Sequence, residues 1–115
     1  MDEQTFKART KKLAVAVIKK MDQLPNSRAA DVVARQLIRS GTSIGANYRA
    51  ACRAKSTPDM INKMKIVEEE TDETAEILVE ADILPQEQAK DIYKETNEIL
   101  AMTVASIKTL RNRKS

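Results

Sequence analysis

The chain has 115 residues, one cysteine, no histidine and a net charge of +3 from 20 basic and 17 acidic side chains. That length suits one domain around one core, and two glycines with three prolines are too few turn formers for an all-β fold. Without histidine the chain lacks the commonest proton-transfer residue near neutral pH, and with it the Ser-His-Asp, Cys-His and Glu-x-x-His arrangements.

The first predicted helix runs from Asp2 to Leu24. Asp2 is a good N-cap, since its carboxylate accepts the free amide hydrogens of a first turn. Phe6, Leu13, Val17, Met21 and Leu24, widened by Ala14 and Ile18, recur at helical spacing. Pro25 disfavours helical geometry in the residue before it and so ends the element. The second helix runs from Ser27 to Arg53, capped by Ser27 or Asn26, with Asp31 at the positive end of its dipole. Its seam is Val33, Leu37, Gly41, Ile44, Tyr48 and Ala51, in steps of four and three. Gly41 and Gly45 fall inside that seam without a phase slip, so both read as helical, with close approach of a neighbouring backbone as the compensation.

Lys55-Ser56-Thr57-Pro58 is a turn, with Thr57 as N-cap and Pro58 at the first helical position. The third helix, 58–83, turns Met60, Met64, Val67, Thr71, Thr74, Leu78 and Ala81 inward. Leu84-Pro85 makes the last corner. The fourth helix, 86–110, turns Ala89, Ile92, Thr96, Ile99, Thr103, Ile107 and Leu110 inward, and a basic tail covers 111–115. Short connections force antiparallel neighbours. The expected fold is therefore all-α, an antiparallel up-down-up-down four-helix bundle in a single domain over 1–115. No apolar run approaches the roughly 20 residues that span a membrane. Met1 to Lys12 is charged and has no signal-peptide core. A lone cysteine, Cys52, cannot form an internal disulfide, which suits a reducing cytoplasm. It reads as a small packing residue, with Arg49 and Arg53 close enough in sequence to lower its pKa.

One polar block stands out. Arg39-Ser40-Gly41-Thr42-Ser43-Ile44-Gly45-Ala46-Asn47-Tyr48-Arg49 is followed by Ala51, Arg53-Ala54 and Ser56, then by Glu69-Glu70 and Glu73-Thr74. This pattern, from Gln36 to Leu78, resembles the bacterial 23S rRNA intervening-sequence protein family, the four-helix bundle proteins. The chain departs from it at Ala50, where the family usually has Glu, and at Glu76-Ile77, where it usually has an aromatic pair. The resemblance implies a homo-oligomer assembled as a ring, commonly a pentamer. It also points to relatives such as the accessory protein of diversity-generating retroelements, a ring-shaped binder of nucleic acid and reverse transcriptase.

Two constellations carry chemistry. In an antiparallel hairpin turning near 54–57, Arg39 stands level with Asp72 and within a turn of Glu69, Glu70 and Glu73. The arginine fork suits carboxylates, so a partly buried, register-fixing ion pair is expected, and loss of Arg39 should be strongly destabilising. The alternative is a polar or metal pocket. Beside it, Gln36, Ser40, Ser43 and Asn47 form a polar seam on one helix face, expected to bond within the bundle or to another subunit. The second constellation is the bundle end that gathers both chain termini and the second turn. Lys7, Arg9, Lys11, Lys12, Arg49, Arg53, Lys55, Lys63, Lys65, Lys108, Arg111, Arg113 and Lys114 collect there against Asp2, Glu3 and Asp59. The opposite end holds Asp22, Asp31, Glu76, Glu80, Asp82, Glu87, Asp91 and Glu95 against six basic residues. Parallel subunits in a ring would stack the basic ends into one crown for phosphates. With few aromatics for base stacking, such binding would be salt-sensitive and weakly selective.

The sequence thus predicts a non-enzymatic, homo-oligomeric cytoplasmic scaffold that contacts RNA or DNA through its basic end. A protein partner is admitted; no cofactor, metal or membrane is expected. The alternative is a protein-binding or structural oligomer with no nucleic-acid role. A third reading is an enzyme or metal protein using the carboxylates of the third helix.

Overall fold

Side chains open three of the four helices in the computed structural model, which describes residues 2–81 and 86–113. Asp2 accepts from the Thr5 amide at 2.8 Å, Ser27 from Ala30 at 3.1 Å, and Ser56 from Asp59 at 3.2 Å. Each satisfies amide hydrogens that a first helical turn leaves without a partner. The helices are α1 (Glu3–Met21), α2 (Arg28–Cys52), α3 (Thr57–Glu80) and α4 (Gln86–Arg111). No strand occurs among the described residues, and no described helix is long and apolar enough to cross a membrane.

Three boundaries differ from expectation, in their cap or by more than helix-end fraying. α1 stops at Met21, because Gln23 and Leu24 donate to the carbonyls of Lys20 and Met21 at 3.1 and 3.2 Å, tightening the chain before Pro25. Ser56, not Thr57, caps α3, since its backbone is extended while Thr57 is already helical. α3 ends at Glu80 with Ala81 as its C-cap, short of the expected Ile83; Ile83 itself, the Leu84-Pro85 corner, Asp82 and Lys114 lie outside the described residues.

α1 packs on α2 and α4, and α3 packs on α2 and α4; the backbones of the diagonal pairs stay apart. Contacts fix the directions. Phe6 stacks on Tyr48 with ring centroids 4.0 Å apart, and Val17 lies over Gly41, so α1 and α2 run oppositely. Arg39 meets Glu70 and Glu73, and Ser40 meets Thr74, which sets α3 antiparallel to α2 at the expected height. The rod measures 51 × 22 × 21 Å.

The core follows the predicted seams. Val17, Leu37, Ile44, Met64, Val67 and Ile99 are at most 1% exposed. Burying each such side chain stabilises by about 1.5–3 kcal/mol, and truncating Leu37 or Ile44 to Ala would cost about 2–5 kcal/mol. Six hydroxyl side chains, Thr10, Ser40, Thr71, Thr74, Thr96 and Thr103, are fully buried among them. Ile18, expected to widen the inward stripe, is instead 44% exposed. Thr10, a polar residue one turn after Phe6, takes an inward place on α1.

Both glycines are helical, as the unbroken seam requires. The neighbour above each is a side chain and not a backbone. A Cβ on Gly41 would meet Val17 at 3.4 Å, and one on Gly45 would meet Thr10 Oγ1 and Arg49 Nη1, both at 3.2 Å.

Candidate nucleic-acid interface

The start of α1, the end of α2, the start of α3 and the end of α4 do meet at one end. A groove of about 450 Å³ there is lined by Glu3, Tyr48, Met60, Met102, Thr109 and Arg113, which come from all four segments.

The basic residues predicted for this end divide into three groups. Lys7 pairs with Glu3 at 3.4 Å and Lys63 with Asp59 at 3.1 Å, each one turn along the same helix. Their charges are partly answered. Arg9 is occupied differently. Its Nε donates to Glu95 Oε2 at 2.9 Å, its Nη2 also meets Glu95, and Glu98 lies 3.5 Å away. The Arg9 and Glu95 side chains are only 27% and 29% exposed, so this fork ties α1 to α4 and is withdrawn from any partner. Glu95, assigned from sequence to the opposite end, therefore stands within reach of α1. The distance was not readable because a long arginine spans more than one helical turn. The third group, Lys11, Lys12, Arg49, Arg53, Lys55, Lys65, Lys108, Arg111 and Arg113, is exposed and makes no ion pair among the described residues.

Within one chain these cations are spread over two grooves and a turn. Lys11 and Arg49, with Lys7, line a groove of about 590 Å³ between α1 and α2 that runs up the flank past Thr42, Gly45 and Val15. Lys108 and Arg111 line a groove of about 340 Å³ between α3 and α4, beside Glu68. Arg53 caps α2, and Lys55 follows in the turn.

The polar cluster is shallower than the sequence suggests. Arg39 Nη1 donates to Glu70 Oε1 at 3.3 Å, and Nη2 to Glu73 Oε2 at 2.5 Å. The Arg39 side chain is 52% exposed and that of Glu73 42%, so the expected partly buried pair is a surface one. Glu70 is the buried member at 17%. Its Oε2 lies 3.1 Å from Arg39 Nη1 yet accepts no hydrogen bond. Glu69 is exposed and outside the pair. The two carboxylates, Glu70 above all, hold the Arg39 guanidinium more firmly protonated than usual.

The seam beside it separates into unlike parts. Gln36 is exposed, Ser43 and Asn47 are half-buried, and the Asn47 amide returns to the Ser43 carbonyl at 2.9 Å. Only Ser40 enters the core, where Thr74 Oγ1 lies 2.8 Å from both the Ser40 hydroxyl and the Glu70 carbonyl. Among the described residues no cluster of three His, Cys, Asp or Glu side chains is arranged to hold a metal ion.

Cys52 also corrects its expectation. Burial first, and then the Glu3 carboxylate, push its thiol up, while the Cys52 contact and Lys7 hold Glu3 low. Arg49, predicted to lower the thiol, folds instead over Gly45 on the α1 side. Burial likewise pushes the Tyr48 phenol well above its usual range.

This geometry meets its relatives at the level of fold and family. The family model described as 23S rRNA-intervening sequence protein matches residues 3–105. The chain belongs to that family. A crystal structure of a protein of unknown function from the S23 ribosomal protein family of Bacteroides thetaiotaomicron VPI-5482 is similar, at 33% identity and a TM-score of 0.85. The match covers 94% of this chain and 99% of that one. No match was found among curated proteins. Membership of the 23S rRNA-intervening sequence protein family thus extends past the Gln36–Leu78 block to nearly the whole bundle.

Proposed function

We propose that this family member is a non-enzymatic scaffold, assembled from several copies in the cytoplasm, that holds nucleic acid through its basic end. The observation that carries the reading is the set of exposed cations around that end that have no acidic partner among the described residues, above all Arg53, Lys55, Lys108, Arg111 and Arg113. Unanswered cations held on rigid helix ends attract phosphates and release their condensed counterions. Sequence reading is not supported. Phe6 and Tyr48, the aromatic rings near this end, are stacked on each other inside the core and offer bases no face. The absence of histidine from the chain supports the non-enzymatic part.

Titration with duplex DNA, single-stranded DNA and RNA oligonucleotides at two salt concentrations tests this. Binding should weaken as a power of salt concentration and differ little between sequences. No binding at low salt, where the counterion contribution is largest, overturns the reading. A structural oligomer without nucleic acid is the second reading, favoured by the exposed Val15, Ile18 and Val104 on the flanks.

A further inference from the structure

Charge divides across the bundle as well as along it. α1 carries six basic residues and one acid, whereas α3, on the opposite diagonal, carries eight acids and two basic residues. Toward α4 the cationic excess of α1 is answered, because Arg9 meets Glu95 and Glu98. Toward α2 it is not. The groove of about 590 Å³ between α1 and α2 is lined by Lys7, Lys11 and Arg49 and by no acid. Each of the other two cation-bearing grooves holds an acid, Glu3 at the bundle end and Glu68 between α3 and α4.

Arg49 shows what such a groove suits. Its Nη1 folds back one turn to within 3.2 Å of the point that a Cβ of Gly45 would occupy, and Thr10 Oγ1 lies 3.2 Å from the same point. The guanidinium is thus level with Thr10, within a turn of both Lys7 and Lys11, which stand about 6 Å apart along α1. An exposed arginine has turned toward two lysines, and it makes no ion pair among the described residues. Gly45 gives it room, and Ala8 keeps the α1 wall low beside it. Past Lys11 the walls turn neutral at Ala14, Val15 and Thr42. In the other direction Arg53 lies one turn beyond Arg49, and Lys55 follows. The cations therefore lead from the basic end into the groove.

We propose that the α1–α2 groove is a phosphate-binding site that takes the backbone of one nucleic-acid strand as it leaves the basic end, with Arg49 facing Lys7 and Lys11 across it. The inference rests on the nucleic-acid part of the function proposed above and adds a site on the flank. The walls select the ligand. A guanidinium fork and two ammonium groups one turn apart match an anion that repeats along a line, as phosphodiesters do. No aromatic side chain lines the groove, so the strand is held by its backbone and its bases go unread. The whole rod is only 22 × 21 Å across, so a groove between two of its helices admits one backbone and not a duplex.

Three variants provide the test. Lys11→Ala/Arg49→Ala removes the two unpaired cations of the groove. Lys19→Ala/Lys20→Ala makes the same change in net charge in the last turn of α1. Ala8→Leu fills the groove at constant charge. Binding of single-stranded DNA is titrated over a salt series, with helix content by circular dichroism as the folding control. Loss of Lys11 and Arg49 should make the slope of log affinity against log salt shallower by about 1.4, for two phosphates released. Ala8→Leu should shift it in the same direction, and Lys19→Ala/Lys20→Ala should leave it unchanged. A wild type that binds no oligonucleotide at low salt sinks the nucleic-acid reading itself. A wild type that binds, with a slope that either folded groove variant leaves unaltered, sinks the groove and spares that reading. Equal losses from the groove pair and the Lys19/Lys20 pair also overturn it, since the strand would then respond to net charge alone. So does poly-glutamate that binds the wild type and not the groove variants while the strand keeps its full affinity for them, which would assign the groove to an acidic protein segment.

Discussion

At the scale of single residues, the buried hydroxyls separate into two kinds. Thr71, Thr96 and Thr103 donate to the carbonyls of Val67, Ile92 and Ile99, one turn back on their own helices, at 2.6–2.7 Å. Those carbonyls keep their backbone bonds when the hydroxyl is removed. Thr96→Val or Thr103→Val should therefore be neutral or stabilise by up to about 1 kcal/mol, because an apolar group of nearly the same shape replaces a satisfied polar one. Thr74 differs, since it is the near partner of Ser40, whose hydroxyl has one other hydrogen bond among the described residues, to the Leu37 carbonyl at 3.4 Å. Thr74→Val strands the Ser40 hydroxyl in the core and should cost about 1–3 kcal/mol. Urea melts of the three variants decide it; equal effects at Thr74 and Thr96 would refute the distinction. Cys52 gives a second test. A thiol pushed up by burial and by Glu3 holds less thiolate at any pH near neutral, so alkylation should be slower in the folded protein than in urea, and the gap should close at high pH. The threonines of α3 and α4 could be placed from their period. Thr10 could not, because one polar residue between Phe6 and Leu13 looks like a gap in the stripe.

At the scale of helices, the glycines test how α1 rests on α2. Alanine is favoured over glycine inside a helix by roughly 1 kcal/mol. A Cβ on Gly41 meets Val17 at 3.4–3.5 Å, an ordinary contact, so Gly41→Ala should gain most of that amount. At Gly45 the added carbon crowds Thr10 Oγ1 at 3.2 Å. That hydroxyl is fully buried and held by the Lys7 carbonyl at 3.0 Å, so it cannot retreat freely, and the gain is cancelled. Thermal melts should rank Gly41→Ala above wild type and Gly45→Ala at or below it; the reverse order would mean that the α1–α2 spacing is wrong. The two arginine ties divide similarly. Arg39→Met removes a solvent-screened contact with Glu73 but leaves the more buried Glu70 without its cation, and should lower the melting temperature modestly. Arg9→Met should lower it clearly, because Glu95 stays partly buried without its cation and α1 loses its polar tie to α4. Helix number, order and α2–α3 register follow from periodicity and capping. The depth of Arg39 does not, since a period gives the face of a helix and not how far its rim lies from water.

At the scale of the whole molecule, summing charge by bundle end finds the basic end but hides the division between α1 and α3, because each of those helices passes through both ends. Once adjacency is known, the cations divide between the flank of α1 and the end that gathers both termini. That partition makes the location of nucleic-acid binding testable on one helix. Arg111 and Arg113 lie at the C-terminal end of α4, while Lys90 and Lys94 lie near its start, and all four are exposed. If the end holds phosphates, Arg111→Ala/Arg113→Ala removes two contacts, and the slope of log affinity against log salt should become shallower by about 1.4–1.8. Lys90→Ala/Lys94→Ala makes the same change in net charge and should leave both slope and affinity unaltered. Equal losses from the two pairs would mean that the polyanion responds to overall charge and that the end is no site.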